Sequence, residues 1–225
     1  MGGTLYIVAT PIGNLEDITF RAVRVLKESA VIACEDTRQT LKLLNKFDFR
    51  KELISYYQPQ EKRKLPLLLD ILRSGKDVAL VSDGGTPGIS DPGFRLVREA
   101  LAAGIKVVPI PGPSAAVTAL CASGLSTHRF LFAGFPPPKK EGLRKCLAAL
   151  AGEDATLIFY LPARKATEFL GAVLQTLGNR EVVLARELTK IYEEFIRAKA
   201  ADVVKLIENR ELKGEITILV AGSDQ

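Results

Sequence analysis

One histidine and three cysteines in 225 residues exclude several classes of chemistry at the outset. A lone His128 nearly rules out a Ser-His-Asp hydrolase built on any other residue, and it argues against histidine-rich transition-metal sites. Beside Arg129, where a strand is expected to start, it reads as structural. Cys34, Cys121 and Cys146 are odd in number, far apart and without CxxC spacing, so they read as buried or idle thiols. No metal site is expected. Long apolar runs are missing as well: none approaches the length of a membrane span. Met1–Gly2–Gly3 leads straight into an apolar strand with no basic segment before it, which points to a cytoplasmic protein.

What remains is an ordinary globular composition, 47% hydrophobic and 25% charged. The length suits two modest α/β domains or one large one. The net charge of +5 is unevenly placed. Between Arg38 and Lys64 stand Arg38, Lys42, Lys46, Arg50, Lys51, Lys62, Arg63 and Lys64 against only Asp48, Glu52 and Glu61, so this stretch carries the whole excess. Such a patch suits a polyanionic partner; the plainer alternative is a solvated face.

In the first half, short runs rich in β-branched residues read as buried strands: Thr4–Thr10, Ala30–Cys34, Asp77–Val81 and Lys106–Ile110. Between them Leu65, Leu68, Leu69 and Leu72 recur at helical spacing, and Phe94, Val97 and Leu101 nearly so. Strands separated by helices make βαβ units and a mostly parallel sheet. A helix at Ser114–Cys121 closes this half, and 124–129 is the expected linker. Beyond it come a strand at Phe130–Ala133, a proline-rich loop at Gly134–Lys140 and a helix near Glu141–Leu150. A strand at Thr156–Leu161, a helix after Pro162 and strands at Glu181–Arg186 and Glu215–Val220 follow. Phe195–Ala200 alternates apolar and basic residues as a half-exposed antiparallel strand does. The reading is therefore two α/β domains, 1–123 with a mostly parallel sheet and 124–225 with a mixed one.

Four loops follow first-half strands, where open α/β sheets bind ligands: Thr10–Asn14, Glu35–Arg38, Ser82–Gly93 and Pro111–Ser114. The third packs Gly84, Gly85, Gly88 and Gly93 with Pro87 and Pro92. Glycines let backbone amides approach a ligand and prolines hold the loop in shape. A tight surface turn is the plain alternative. TPIGN is not GxGxxG and GGTPGIS lacks the GK[ST] ending of a P-loop, so neither a dinucleotide site nor NTP hydrolysis is supported. Asp83 and Asp91 suit a cationic ligand better than a phosphate.

Ser82–Gly93 (SDGGTPGISDPG) resembles the signature of the RsmI branch of the tetrapyrrole methylase superfamily. Members of that branch methylate the ribose 2′-oxygen of a cytidine in 16S rRNA of the small ribosomal subunit. Ala9–Thr19, Cys34–Leu44, Ile110–Leu125 and Glu187–Phe195 are similar to that branch in the same order, so the resemblance covers nearly the whole chain. It implies a cleft between the two domains holding folded S-adenosylmethionine, with S-adenosylhomocysteine as product, and a homodimer. The matching cofactor positions are Pro11, Asp83, Gly84, Gly85, Thr86, Ser114 and Ala115, joined by Leu161, Ala185 and Glu215 near the strand start at Gly214. Relatives often continue into a further helical segment beyond the position of Gln225, so RNA or dimer contacts made by such a segment do not carry over.

On the substrate side Arg38, Lys42 and Lys46 fall at i, i+4 and i+8, one basic stripe, while Leu41, Leu44 and Phe47 can pack inward. Lys62, Arg63 and Lys64 add to the basic surface, and Tyr56 with Tyr57 offers aromatic faces for an unstacked base. The expected reaction is in-line attack of the ribose 2′-oxygen on the sulfonium methyl, driven largely by alignment. Candidates for a proton acceptor or electrostatic partner are Asp36 with Arg38, and Glu187 with Lys190; each pair also reads as a cap or a surface ion pair. Three alternatives stand beside this reading: a methyltransferase of small tetrapyrroles, a non-catalytic module that binds cofactor and RNA, and a soluble α/β domain with an unrelated anionic ligand.

Overall fold

Continuous apolar runs of four or five residues are too short for helices, and in the computed structural model, which describes residues 2–223, they form the middle of a parallel sheet. Strands β1 (Thr4–Val8), β2 (Val31–Cys34), β3 (Glu52–Ser55), β4 (Val78–Val81) and β5 (Lys106–Ile110) pair in the order β3-β2-β4-β1-β5. All these pairings are parallel. β2 and β4 are buried at every position, as strands covered on both faces must be.

Alternate side chains of these strands serve two cores. Ile32, Cys34, Ala79 and Val81 pack with Ala22, Val25 and Leu26 of α1 (Phe20–Glu28) and with Leu43 and Leu44 of α2 (Thr37–Lys46). Val31, Ala33, Val78 and Leu80 pack with Leu68 and Leu72 of α3 (Glu61–Arg73) and with Leu96 and Ala100 of α4 (Phe94–Ala102). Two helix faces differ from the spacing expectation. In α2, Leu43 and Leu44 are buried while Leu41 is exposed; in α4, Leu96 and Ala100 are buried while Phe94 and Leu101 are exposed. In α4 the small Ala100 one turn after Leu96 lets the helix lie close on the sheet, which outweighs the count of apolar residues on the other stripe. Strand β3 and helix α1 fall outside the sequence expectations. β3 buries only Ile54 fully, so it carries almost no pattern. α1 is short but capped: Thr19 Oγ1 accepts from Ala22 N–H at 3.0 Å, a contact worth about 1 kcal/mol.

The chain divides into two units, Met1–Ser114 and Ala115–Gln225. Helix α5 (Ala115–Cys121) groups with the second, nine residues before the expected division after 123. Its Ala116 N–H donates to the Tyr160 hydroxyl at 3.1 Å, which ties its first turn to that unit's sheet. The second sheet has β6 (Phe130–Gly134), β7 (Thr156–Pro162), β8 (Glu181–Arg186), β9 (Glu194–Lys199) and β10 (Glu215–Val220) in the order β6-β7-β10-β8-β9. β6 and β7 are parallel and the other pairs antiparallel, so the sheet is mixed. One face packs with α6 (Lys140–Ala149), α7 (Ala166–Thr176) and α8 (Ala200–Ile207) around Leu157, Phe159, Leu184 and Ile218. The directions place the ends of β6, β7 and β8 and the start of β10 on one edge.

Candidate functional site

The chain leaves β1 for α1 on one face of the first sheet and β4 for α4 on the other. Neighbouring strands whose connections diverge leave a crevice at their carboxyl ends, the usual ligand position in open α/β sheets. Here the two loops are locked together. Thr10 N–H donates to Gly85 O and Gly85 N–H to Thr10 O, both at 2.9 Å, and Thr10 Oγ1 donates to Ser82 O at 3.2 Å. Gly85 is left-handed (φ +85°), and a Cβ on Gly84 would come within 3.2 Å of Pro11 O. Gly85 is therefore favoured by its left-handed backbone and Gly84 by the close approach of the Pro11 carbonyl, without reference to a ligand. Thr86 Oγ1 donates to Pro113 O at 3.3 Å, which brings in the fourth loop. The structure thus gathers Pro11, Asp83, Gly84, Gly85, Thr86 and Ser114 around one sheet edge. Ala115 opens α5 in the second unit.

A cleft of about 190 Å³ lies there, lined by Thr10, Pro11, Ser82 and Asp83 from the loops and by Gln39, Thr40 and Lys42 from α2. Asp83 and Lys42 are its charged lining residues, and further carboxylates stand near Asp83. Burial, and then the charges of Asp83, Asp91 and Asp36, push the Glu35 carboxyl up. Burial also pushes the Asp83 carboxyl up, opposed by the Asp36 amide, which donates to Asp83 Oδ1 at 2.9 Å. Carboxylates pushed up chiefly by burial gain from a cationic ligand, which favours their ionised forms. Because such a ligand stabilises the ionised forms, its binding releases protons on the acid side. We therefore expect its affinity to be flat near neutrality and to weaken as pH falls, beginning above the ordinary aspartate value of about 3.9. Calorimetric affinities measured from about pH 8 to about pH 4 check this.

Asp36 is already committed. Its Oδ1 accepts from Arg38 N–H at 2.8 Å as the N-cap of α2, and Arg38 Nη2 meets Oδ2 at 2.6 Å. Hydrogen bonds from Arg38 hold the carboxyl down at about 2. That is far below the range of an effective base at neutral pH. Arg38 in turn is partly neutralised by its own cap residue, leaving Lys42 and Lys46, both exposed on α2, as the open cations of the stripe. Lys62, Arg63 and Lys64 lie in the first turns of α3, across the sheet from α2, so the basic segment is split between two faces.

Tyr56 corrects a sequence expectation. It is fully buried in the core with Leu68, Leu72 and Leu96, so its ring has no face to offer a base. Tyr56 N–H donates to Cys34 O at 2.7 Å, which extends the β2–β3 ladder and turns the side chain inward. Burial, followed by the Glu61 carboxylate, pushes its phenol up.

In the second sheet, Ile216 pairs with Leu161 on one side and Arg186 on the other, and Thr217 pairs with Ala185. Leu161, Ala185 and Glu215 thus occupy one end of three adjacent strands. Glu187 sits there too: its Oε1 accepts from Glu215 N–H at 3.1 Å and from Lys190 Nζ at 2.9 Å. Desolvation pushes the Glu187 carboxyl up, but Lys190 and the Glu215 amide outweigh it and hold the group low. Gly214 makes this possible, since a Cβ there would come within 2.1 Å of Glu187 Oε1. Sequence reasoning missed this dependence, and it missed Thr10 and Ser82 as the loop's fasteners; no local pattern marks such long-range contacts. Among the described residues no group of His, Cys, Asp and Glu is arranged to hold a metal, and no helix is long and apolar enough to cross a membrane.

Residues 4–204 match the family model of Tetrapyrrole (Corrin/Porphyrin) Methylases. The chain is 51% identical over 223 residues to the "Ribosomal RNA small subunit methyltransferase I" of Halalkalibacterium halodurans, covering 99% of this chain and 77% of that one. It is 42% identical over 222 residues to the protein of the same name from Thermotoga maritima, covering 99% of this chain and 100% of that one. Among solved structures, the uroporphyrin-III-C-methyltransferase of Thermus thermophilus superposes with a TM-score of 0.67 at 23% identity, over 99% of this chain and 94% of that one.

Proposed function

The chain belongs to the tetrapyrrole methylase family, and from that premise we propose that it transfers a methyl group from S-adenosylmethionine to the ribose 2′-oxygen of a cytidine in 16S rRNA of the small ribosomal subunit. The observation that carries the reading is near-full-length identity of 51% and 42% to proteins named as ribosomal RNA small subunit methyltransferases, joined to a cleft at the sheet edge that Asp83 lines beside the glycine loop. The tetrapyrrole alternative rests on a likeness at 23% identity, which speaks for the fold alone.

The donor set fits a cationic, nucleoside-bearing methyl donor. Asp83 and the carboxylates around it favour the charge, while Pro11, Gly84, Gly85, Thr86, Ser114, Ala115, Leu161, Ala185 and Glu215 are the positions we assign to holding the rest, chiefly by backbone groups. S-adenosylmethionine, when bound, supplies an activated methyl on its sulfonium. The chain's task is then to align the acceptor hydroxyl and exclude competing water. Asp36 accepts on both oxygens, Glu187 accepts twice through Oε1, and both are held low, so we assign them positioning roles: Asp36 fixes the start of α2, and Glu187 with Lys190 fixes the loop after β8.

Tritiated S-adenosylmethionine, given to the protein with small subunits from cells lacking this methylation, is expected to label a ribose 2′-oxygen. Label confined to bases, or none, overturns the reading. Lys42→Ala combined with Lys46→Ala is expected to weaken binding to those subunits and to flatten the plot of log affinity against log salt by about 1 to 2. The Lys46→Ala single variant should leave methyl-donor affinity unchanged in the same buffers.

A further inference from the structure

The seven residues between β8 and β9, 187–193, close a hairpin directly off the Arg186–Glu194 register pair. Most of them hold the loop's shape. Glu187 (φ 49°) and Thr189 (φ 66°) are left-handed without being glycine, a conformation kept only where the surroundings impose it. Thr189 N–H donates to Glu193 Oε2 at 2.6 Å, Lys190 N–H to Glu187 O at 3.0 Å, and Glu193 N–H to Lys190 O at 3.1 Å. Leu188 is buried beneath, and Lys190 Nζ is held by Glu187.

This frame presents two side chains to solvent: Ile191, 94% exposed, and Tyr192, 73% exposed. Neither adds to the stability of the fold, because neither is removed from water. A strained, hydrogen-bonded loop that ends in an unburied aromatic is arranged for contact with something else. The charges that flank the tip are engaged within the loop, so what it offers is a neutral ring face. Nucleobases forced out of an RNA helix have the matching surface, and a ribose hydroxyl is most accessible in such unstacked segments.

We propose that Tyr192 stacks on an unpaired base of the RNA substrate, with Ile191 packing at the edge of that base; this rests on the RNA reading above. Several observations select this ring. Tyr56, which the sequence suggested for the role, lies in the core. Arg98 lies over one face of the exposed Phe94 ring at 5.7 Å, Phe135 packs edge-on against Tyr160 at 5.6 Å, and the exposed Phe20 opens the regular helix α1 rather than a strained loop. Tyr192 also follows Glu187 and Lys190 on the edge that carries Leu161, Ala185 and Glu215. A stack supplies affinity without choosing the base, so it complements phosphate contacts by lysines.

The chain has no tryptophan, so Tyr192→Trp introduces a single indole. Its fluorescence is expected to be quenched by unmethylated small subunits, saturating over the concentration range that saturates methyl transfer. Tyr192→Ala is expected to raise KM for the subunits about ten-fold with methyl-donor affinity unchanged. Tyr192→Phe keeps the ring and should stay within about two-fold of wild type, whereas Tyr192→Leu should behave like alanine. An unquenched indole, a leucine variant as good as tyrosine, or an unchanged KM with an altered mass of the free protein overturns the proposal, the last by placing Tyr192 between copies of the chain. Failure of the wild type to label ribose overturns the RNA methylation reading instead, and the quenching arm still decides whether Tyr192 meets RNA.

Discussion

Asp83→Ala is expected to abolish detectable binding of S-adenosylmethionine and of S-adenosylhomocysteine. The carboxylate stands at the cleft between two loops that are locked by reciprocal hydrogen bonds between Thr10 and Gly85. Burial, opposed by the Asp36 amide, pushes its carboxyl up, so a cationic ligand that pairs with it favours the ionised form. Removing one partner of a partly buried charge pair costs about 2–5 kcal/mol, or roughly 30-fold to several thousand-fold in affinity. The side chain also accepts the Asp36 amide, so alanine disturbs the start of α2 as well. Asp83→Asn separates these effects, since its amide oxygen can still accept that hydrogen bond while the charge is gone. Calorimetry on both variants should show a large loss in each, while thermal unfolding shifts only in the alanine variant. Wild-type affinity in the asparagine variant means that the cationic end of the donor lies elsewhere.

The second large effect is expected at Gly214→Ala. This glycine is left-handed (φ +88°), and the added methyl would meet the Glu187 carboxylate from Oε1 to Cγ, at 2.1 to 3.0 Å. Glu187 cannot yield cheaply, because its Oε1 holds both Glu215 N–H and Lys190 Nζ. The variant must break those bonds or shift the start of β10. Losing the Glu215 amide's hydrogen bond at an exposed strand end costs about 0.5–1.5 kcal/mol, and the backbone strain about 1 kcal/mol more. The melting temperature should fall by several degrees. Methyl transfer should fall much further than stability, because the displaced loop carries Lys190 and Tyr192. A variant with a normal melting curve and normal turnover shows that this corner does not position the substrate.

The glycine loop was legible because a run of glycine, proline and aspartate has a local meaning: few other sequences permit such a backbone. The parallel sheet was legible for the same kind of reason, since β2 and β4 are apolar at every position and so announce two covered faces. Faces of helices were less so. Periodicity puts Phe94 and Leu101 of α4 on an inward stripe, yet the sheet takes Leu96 and Ala100. Tyr56 and Tyr192 show the limit most clearly. Both are tyrosines next to charged segments, one enclosed and one at a hairpin tip, and nothing in the neighbouring residues distinguishes them.

By itself the sequence determined most of the alternation of strands and helices, with β3 and α1 the exceptions, the two kinds of sheet, the glycine-rich loop at a sheet edge and the family. These depend on backbone freedom and on patterns repeated within a few residues. Tertiary structure alone decided that Gly85 is needed for Thr10, that Gly214 makes room for Glu187, that Asp36 is a cap held near 2, and which tyrosine faces water. Each of those depends on atoms brought together from distant positions or on the way an element is laid on its sheet, and packing in three dimensions sets such distances where sequence spacing does not.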